Sequence, residues 1–433
     1  MLESPGGKLL KKSMSTIKRI TAVLCIFVVT TIAWMILGAT IFQRTYGQDE
    51  TLKSKVSSTW GTAQVQSPPS ASYQQVSKKL QEIYEHGRTT NKWVETTQQV
   101  DLLPIVTNAD VALQLTHRQK GLLWYSTYTV LFAAECTFHN PSNMEQQVTF
   151  KFPFPAEQAI YDDVVFTVDG TPVEFKNEGN AAHATALIGA SKAVVIKMSY
   201  ASQGMDSWRY HFSNEIAQVR DFHLKMTTNF KDIDFPDNTL SPSDKHETAD
   251  GWRLDWNYKN LVSGYQIGMT MPEKLQPGPL AGRISLFAPV SLFFFFFLVF
   301  IITTIRGADL HPMNYFFLAA AFFAFHLLMA YLVDHVSIHH SFLIAAVVSL
   351  GLVISYMRLV AGSRFALLEC GLAQFVYLVL FSYAFFFKGY TGLAVTIGSI
   401  VTLFVVMQMT GRINWSERFA RATVHPARGN APS

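Results

Sequence analysis

Six apolar segments, one followed at a distance by five, constrain this chain more than any other feature. Ile20–Phe42 is apolar and uncharged, and a long, mostly polar stretch follows it. Five more apolar segments then come in close succession: Ile284–Ile305, Met313–Val333, Ser341–Met357, Phe365–Phe387 and Tyr390–Thr410. A bilayer core needs about 20 apolar residues per helix, which segments of this kind supply. The expected class is an α+β membrane protein. It has a basic tail (1–19), one N-terminal transmembrane helix (20–42) and a β-rich, sandwich-like domain (43–283). A block of five transmembrane helices (284–410) and a second tail (411–433) complete it.

Charge placement predicts the orientation, because Lys and Arg gather on the cytoplasmic side of short loops. Lys8, Lys11, Lys12, Lys18 and Arg19 precede the first helix and Arg306 follows the second. Arg358 and Arg364 lie between the fourth and fifth, and Arg412, Arg418, Arg421 and Arg428 follow the sixth. The loop after the third helix has no such residue, and the one after the fifth has Lys388. Both termini are expected in the cytoplasm and the large domain outside, which in a bacterium is the periplasm. The first segment reads as a retained anchor. It is longer than the roughly 7–15-residue apolar region of a signal peptide, and Gly38-Ala39-Thr40 is a poor cleavage site.

Cys25 and Cys370 fall within the apolar segments, which leaves Cys136 alone in the polar region. That region therefore has no internal disulfide and must be held by its core. No Cys/His cluster has zinc spacing, so neither metal nor cofactor is expected. The net charge of +4 is small, and no nucleic-acid partner is expected.

Within the polar region, Gln43–Ser70 reads as a linker with one strand at Trp60–Gln66. Val76, Leu80, Ile83 and Tyr84 fall at helical spacing and predict a short surface helix over Tyr73–Glu85. Strand-like runs then follow at Trp124–Phe138 and Gln147–Phe154. Asp163–Asp169 with Pro172–Phe175 reads as a hairpin about Gly170. Ala193–Ala201 with Ser207–Phe212 reads as a second hairpin about Gly204. Gln218–Phe230, Gly251–Tyr258 and Ser263–Met271 complete about eight strands, which suggests a sandwich. In the membrane block, Phe293–Phe297 is expected to face lipid. The pairs Ala394/Gly398 and Ala320/Ala324 suit close helix packing within the bundle, with a homo-oligomeric seam as the lesser alternative.

The chain has no GxxxxGK[ST] or GxGxxG loop, no HExxH and no GxSxG. Polar residues in or beside the membrane remain, and ionisable groups there are costly. Glu369 lies about 7–8 Å past Arg364 at the helical rise, within reach of an arginine partner. His326 lies about 20 Å from the cytoplasmic end of its segment, deeper than Glu369 and harder to explain by snorkelling. It reads as a neutral, hydrogen-bonded core histidine or as a relay. Asp334, His335, His339 and His340 crowd the loop after the third segment, as solvated groups, a pH-sensitive pair, acid–base groups or, with His335 and His339 one turn apart if the stretch is helical, a metal pair.

The stretch His311-Pro312-Met313-Asn314-Tyr315, with Asp334-His335 about one helix later, resembles the C-terminal membrane domain of the CreD family of inner membrane proteins. That family has an HPxxY helix start and an acidic-His pair at the helix end. The tail Thr410–Trp415 resembles its basic run before a final Trp, with Asn414 where the family usually carries an acid. Arg118–Phe138 is similar to the family's first strands. The resemblance marks His311, Pro312, Tyr315 and Trp415 as family-motif positions. It implies a role in envelope integrity and the response to cell-wall-active antibiotics, with no defined enzymatic activity.

The reading favoured is a non-enzymatic inner membrane protein in the lipid bilayer, whose β-domain binds a periplasmic protein or cell-wall partner. The alternative is a transporter or channel for a small solute, proton or lipid, lined by His326 and Glu369. A third reading, an enzyme on lipid-linked substrates using Asp334, His335 and His339, lacks a nucleophile or metal set.

Overall fold

The computed structural model describes residues 16–47, 49–85, 88–213, 217–308, 310–387 and 389–411. Two compact units result: one holds the long apolar helices, the other the strands and one short helix.

The helical unit starts with α1 (Thr16–Tyr46), which the short α2 (Asp49–Trp60) follows in the chain. Hydroxyls of Thr30, Thr31, Thr40 and Thr45 bond back to carbonyls four residues earlier, so these polar groups need no water.

After α2 come β1 (Gln64–Gln66), β2 (Ser70–Glu85), β3 (Arg88–Leu102), β4 (Val106–Lys120), β5 (Leu123–His139) and β6 (Gln146–Pro153). Next are β7 (Tyr161–Val168), β8 (Thr171–Pro172), β9 (Lys176–Asn177), β10 (Ala181–Ile188) and β11 (Ala193–Met205). The last strands are β12 (Ser207–Tyr210), β13 (Ala217–Thr228), β14 (Asp244–Glu247), β15 (Trp252–Ser263) and β16 (Ile267–Thr270). They make an eight-stranded sheet, β14-β15-β13-β4-β5-β11-β7-β8, a five-stranded sheet, β3-β2-β6-β10-β9, and a three-stranded sheet, β1-β12-β16.

The three sheets share one core. Alternate residues of β5, Tyr128, Val130, Phe132, Ala134, Cys136 and Phe138, are all buried, as a period of two requires. Phe138 meets Phe150 of the five-stranded sheet edge-on with ring centroids 5.6 Å apart. Phe132 packs on Phe152 at 6.1 Å and on Trp208 of the small sheet at 6.3 Å.

Several expectations are corrected here. Tyr73–Glu85 is strand, not helix: it forms most of β2, paired residue for residue with β3. Only Ser70–Tyr73 of β2 also pair with β6, so beyond Tyr73 the β2–β3 pair runs on as a two-stranded ribbon. The Trp60–Gln66 strand shortens to Gln64–Gln66, because α2 reaches Trp60. The hairpin about Gly170 forms. The one about Gly204 does not, because β11 continues through Gly204 to Met205. A Cβ at Gly204 would lie 2.4 Å from the Tyr128 ring, so the glycine admits that ring. The chain turns instead at Asp206 (φ 69°), where it leaves one sheet for another.

The remaining helices are α3 (Pro277–Arg306), α4 (Pro312–Leu332), α5 (Ile338–Ala361), α6 (Phe365–Phe386) and α7 (Thr391–Thr410). With α1, that makes six helices long and apolar enough to cross a membrane among the described residues. Glycines set the approach of α1 to α3. A Cβ at Gly278 would lie 2.5 Å from Thr45 Oγ1, and one at Gly38 would lie 2.6 Å from Leu286 Cδ2. The expected small-residue pairs do not do this work: nothing lies within 4 Å of a Cβ built at Gly398, and Ala320 is exposed. Phe293–Phe297 does not turn one way either. Phe295 and Phe296 are buried while Phe293 and Phe297 are exposed, because five consecutive residues go round the helix. The widened turns of α6, at Phe365–Gly371 and Phe375–Leu380, bond each N–H to the carbonyl five residues back.

Candidate functional site

The residues singled out in the sequence fall in three polar layers of the bundle. At one end, His311 caps α4, its Nδ1 accepting from the Met313 N–H at 3.3 Å, and Pro312 takes the first helical position, where no N–H is needed. Asn314 Oδ1 accepts from the Tyr356 hydroxyl of α5 at 2.8 Å. Tyr315 is fully buried, and its hydroxyl accepts from Arg19 Nη2 at 3.4 Å. The same guanidinium donates to Thr303 Oγ1 at 3.1 Å and lies over the Phe300 ring at 5.6 Å. One cation on α1 thus joins α3 and α4.

At the other end, Arg44 of α1 donates to the Ala330 carbonyl at 2.8 Å and pairs with Asp334 at 3.3 Å. His335 lies in the turn before α5. Ser337 caps α5 and touches His340 Nδ1 at 2.7 Å, while His339 packs on Phe386 at 5.1 Å. Since α5 starts at Ile338, His335 and His339 are not one turn apart on a helix. No group of three or more His, Cys, Asp or Glu among the described residues is placed to hold a metal.

The middle layer holds His326, fully buried on α4, with its Nδ1 3.0 Å from the Phe322 carbonyl. A carbonyl can only accept, so Nδ1 carries a proton, and in the neutral ring Nε2 keeps the lone pair. The Trp34 ring stands perpendicular to it at 5.7 Å. Trp34 Nε1, a donor, and His326 Nε2, an acceptor, both lack a hydrogen-bond partner among the described residues. Glu369 takes its arginine from α3 and not from its own helix: Arg306 is the ion-pair partner.

Sequence reasoning missed a second buried set. Gln374 Nε2 donates to Ser349 Oγ at 2.7 Å, and Ser349 donates to the Ala321 carbonyl at 2.7 Å, tying α6, α5 and α4 together. Ser291 of α3 donates to the Tyr377 carbonyl, and the Tyr377 hydroxyl donates to Thr402 at 2.9 Å. The available signal was the amide at Gln374 within a long apolar run.

The strand unit carries a different feature, an open trough of about 540 Å³ on the solvent face of the eight-stranded sheet. Its floor is small because Ala112, Ala133, Ser199 and Ala201 occupy outward positions on neighbouring strands. Lys225 and Asp110 pair at 2.5 Å on one side. Asp163 lines the other side in the left-handed region (φ 51°), beside the register shift between Ser199 and Ala201. Bulges re-aim side chains and gather beside binding sites.

A profile of the inner membrane protein CreD matches residues 15–416, nearly the whole chain. The chain belongs to the CreD family. No curated protein matches it. Solved structures that share part of its shape do so distantly. A protein from Legionella pneumophila described as nutrient-binding is 12% identical and has a TM-score of 0.30, covering 45% of this chain and 74% of its own. An M1 zinc metallopeptidase from Deinococcus radiodurans is 9% identical with a TM-score of 0.25, covering 38% and 42%. Leukotriene A4 hydrolase from Saccharomyces cerevisiae is 9% identical with a TM-score of 0.20, covering 39% and 29%. Likeness at this level carries no argument.

The CreD-like stretches acquire a physical meaning from the geometry. In the HPxxY stretch, His311 and Pro312 start α4 and Tyr315 receives Arg19. In the acidic-His pair, Asp334 receives Arg44. Both hold α1 against the bundle, one at each end. Trp415 lies outside the described residues.

Proposed function

We propose that this CreD family member supports envelope integrity without catalysis, anchored by its helices in the inner membrane, with its sandwich-like β-domain in the periplasm binding a protein or cell-wall partner. The orientation rests on charge. Lys18, Arg19, Arg306, Arg358 and Arg364 sit at helix ends that alternate up-and-down crossing would bring to one side, the cytoplasmic side by the positive-inside tendency. The observation that carries the binding role is the trough. It is an open concavity with a small-residue floor and charged rims, in a unit that has a complete core of its own. By contrast, the polar residues of the bundle are spent joining helix to helix: Glu369 on Arg306, Asp334 on Arg44, Tyr315 on Arg19.

The test is survival of a deletion strain under a cell-wall-active antibiotic, with variants expressed at matched membrane levels. Ala133→Trp, which fills the trough, is expected to fail to complement, and Glu369→Gln to complement as wild type. The reverse pattern would sink this reading. A second reading, transport of a proton, small solute or lipid through the bundle, draws support from Trp34 Nε1, Ser285 Oγ, His326 Nε2 and Gln374 Oε1, buried atoms without a partner among the described residues. Flux into liposomes that is abolished by His326→Ala would favour it.

A further inference from the structure

A groove of about 320 Å³ lies between α1 and α3, lined by Val23, Leu24, Phe27, Phe293, Phe297 and Phe300 among others. Every lining residue is apolar, and the volume is that of a small ligand site. Its aromatic wall is ordered: Phe293 and Phe297 stack in parallel at 6.1 Å, and Phe27 meets Phe293 edge-on at 6.1 Å. Phe293 and Phe297 are 51% and 38% exposed, so the groove opens sideways, towards where lipid lies around a membrane helix. From Phe293 to Phe300 it runs about 10 Å along the helix axis.

One end is cationic. Arg19 immediately precedes the groove-lining Ile20, its guanidinium lies over the groove residue Phe300, and the side chain is held there by Thr303 and Tyr315. Lys18 is exposed beside it. An apolar slot inside the membrane span with a positioned arginine at its end matches a molecule with a hydrocarbon tail and an anionic head. We infer that the groove between α1 and α3 holds one acyl chain of an anionic phospholipid, whose phosphate is received by Arg19 and Lys18. The guanidinium offers the planar, forked donor set that suits a phosphate. Tyr315 acts as a positioning residue, fixing the arginine at the mouth. This site is independent of the trough and of the role proposed for it.

The full-length protein would be exchanged into vesicles of equal phosphatidylethanolamine and phosphatidylglycerol, extracted in mild detergent, and its retained lipid identified by native mass spectrometry. One phosphatidylglycerol per chain is expected, enriched over phosphatidylethanolamine by about fivefold for each cation engaged. The double substitution Arg19→Gln with Lys18→Gln should abolish the enrichment, and Leu24→Trp, which fills the slot, should abolish retention. Arg358→Gln, in the last turn of α5, should change nothing. Equal retention of the two lipids by the wild-type protein would overturn the proposal without recourse to any variant. So would an Arg358→Gln effect as large as that of the double substitution, which would mean general surface charge, or full retention by Leu24→Trp. An excess of inorganic phosphate should not displace the lipid; displacement would mean a headgroup site with no acyl slot.

Discussion

The two interiors of this protein are built on opposite terms. The strand core is made of large rings, and most of their polar tips find a partner. The Tyr128 hydroxyl donates to the Ser207 carbonyl at 2.8 Å, Tyr200 to Gln66 at 2.6 Å and Trp256 Nε1 to the Leu240 carbonyl at 2.9 Å. The bundle core instead brings helices together at glycines and, among the described residues, leaves buried polar atoms without a partner deep in its middle, those of Trp34, Ser285, His326 and Gln374 among them, where the strand unit leaves Gln64, Trp208 and Gln266. The difference follows from the solvent. Water drives apolar area into the strand core. Lipid is as apolar as a leucine, so helices associate through close packing and a few polar ties. Fold stability is therefore concentrated in side-chain volume in one unit and in backbone approach in the other.

This contrast can be broken experimentally, and the strand core offers the largest effect. Trp208 and Trp256 are fully buried, and replacing either with Ala is expected to cost about 3–5 kcal/mol in denaturant unfolding followed by near-ultraviolet circular dichroism. A loss below about 1 kcal/mol would mean that the core is not close-packed. In the bundle, Gly278→Val drives a side chain into Thr45, and a loss of about 1–3 kcal/mol is expected. Gly398→Val meets nothing and should stay within about 0.5 kcal/mol. Equal effects at the two glycines would remove the argument that α1 and α3 meet through their backbones.

An alkaline titration sharpens the comparison from the other side. Burial pushes the Cys136 thiol up to about 12 and the Tyr161 hydroxyl up to about 12. In the unfolded chain both groups lose their protons near their ordinary values, so above about pH 9 the unfolded state binds fewer protons than the folded one. Stability of the strand unit is then full below pH 9 and falls progressively as pH rises towards 12. Cys136 in the native protein should resist alkylation at pH 8.5 and react fully once unfolded; rapid native-state reaction would show that the core opens. A small effect is also expected of Asp334→Asn. Its carboxylate and Arg44 are each about one-third exposed, so a change of roughly 0–1 kcal/mol is expected in thermal unfolding in detergent.

Much of this architecture is legible from the amino acids, and the exceptions have physical causes. The apolar runs give the six long helices because apolar length is a direct signal, and β5 is plain because its alternation is long and unbroken. The Tyr73–Glu85 stretch misleads because a spacing of four satisfies both periods. Val76 and Leu80 lie on one side of a helix, yet they also share parity, which puts them on one face of a strand. Gly204 looks like a turn because glycine serves turns and close approaches alike, and Tyr128, distant in sequence, decides between them. Among the candidate residues, the burial of His326 and an arginine partner for Glu369 were readable. That the partner is Arg306 was not, since it depends on which helices neighbour each other. Nor was the trough, which arises where outward small residues of β4 and β5 come beside those of β11, distant in sequence.

The β2–β3 ribbon has one more consequence. From Gln74 outward each strand pairs only with the other, and no third strand fixes their length. A change of register inside a sheet sends every side chain to the wrong face, so insertions there are penalised at once. On this arm, one residue added to each strand moves the tip outward by about 3.3 Å and leaves the sheets behind it untouched. Its reach can change without the core registering the difference.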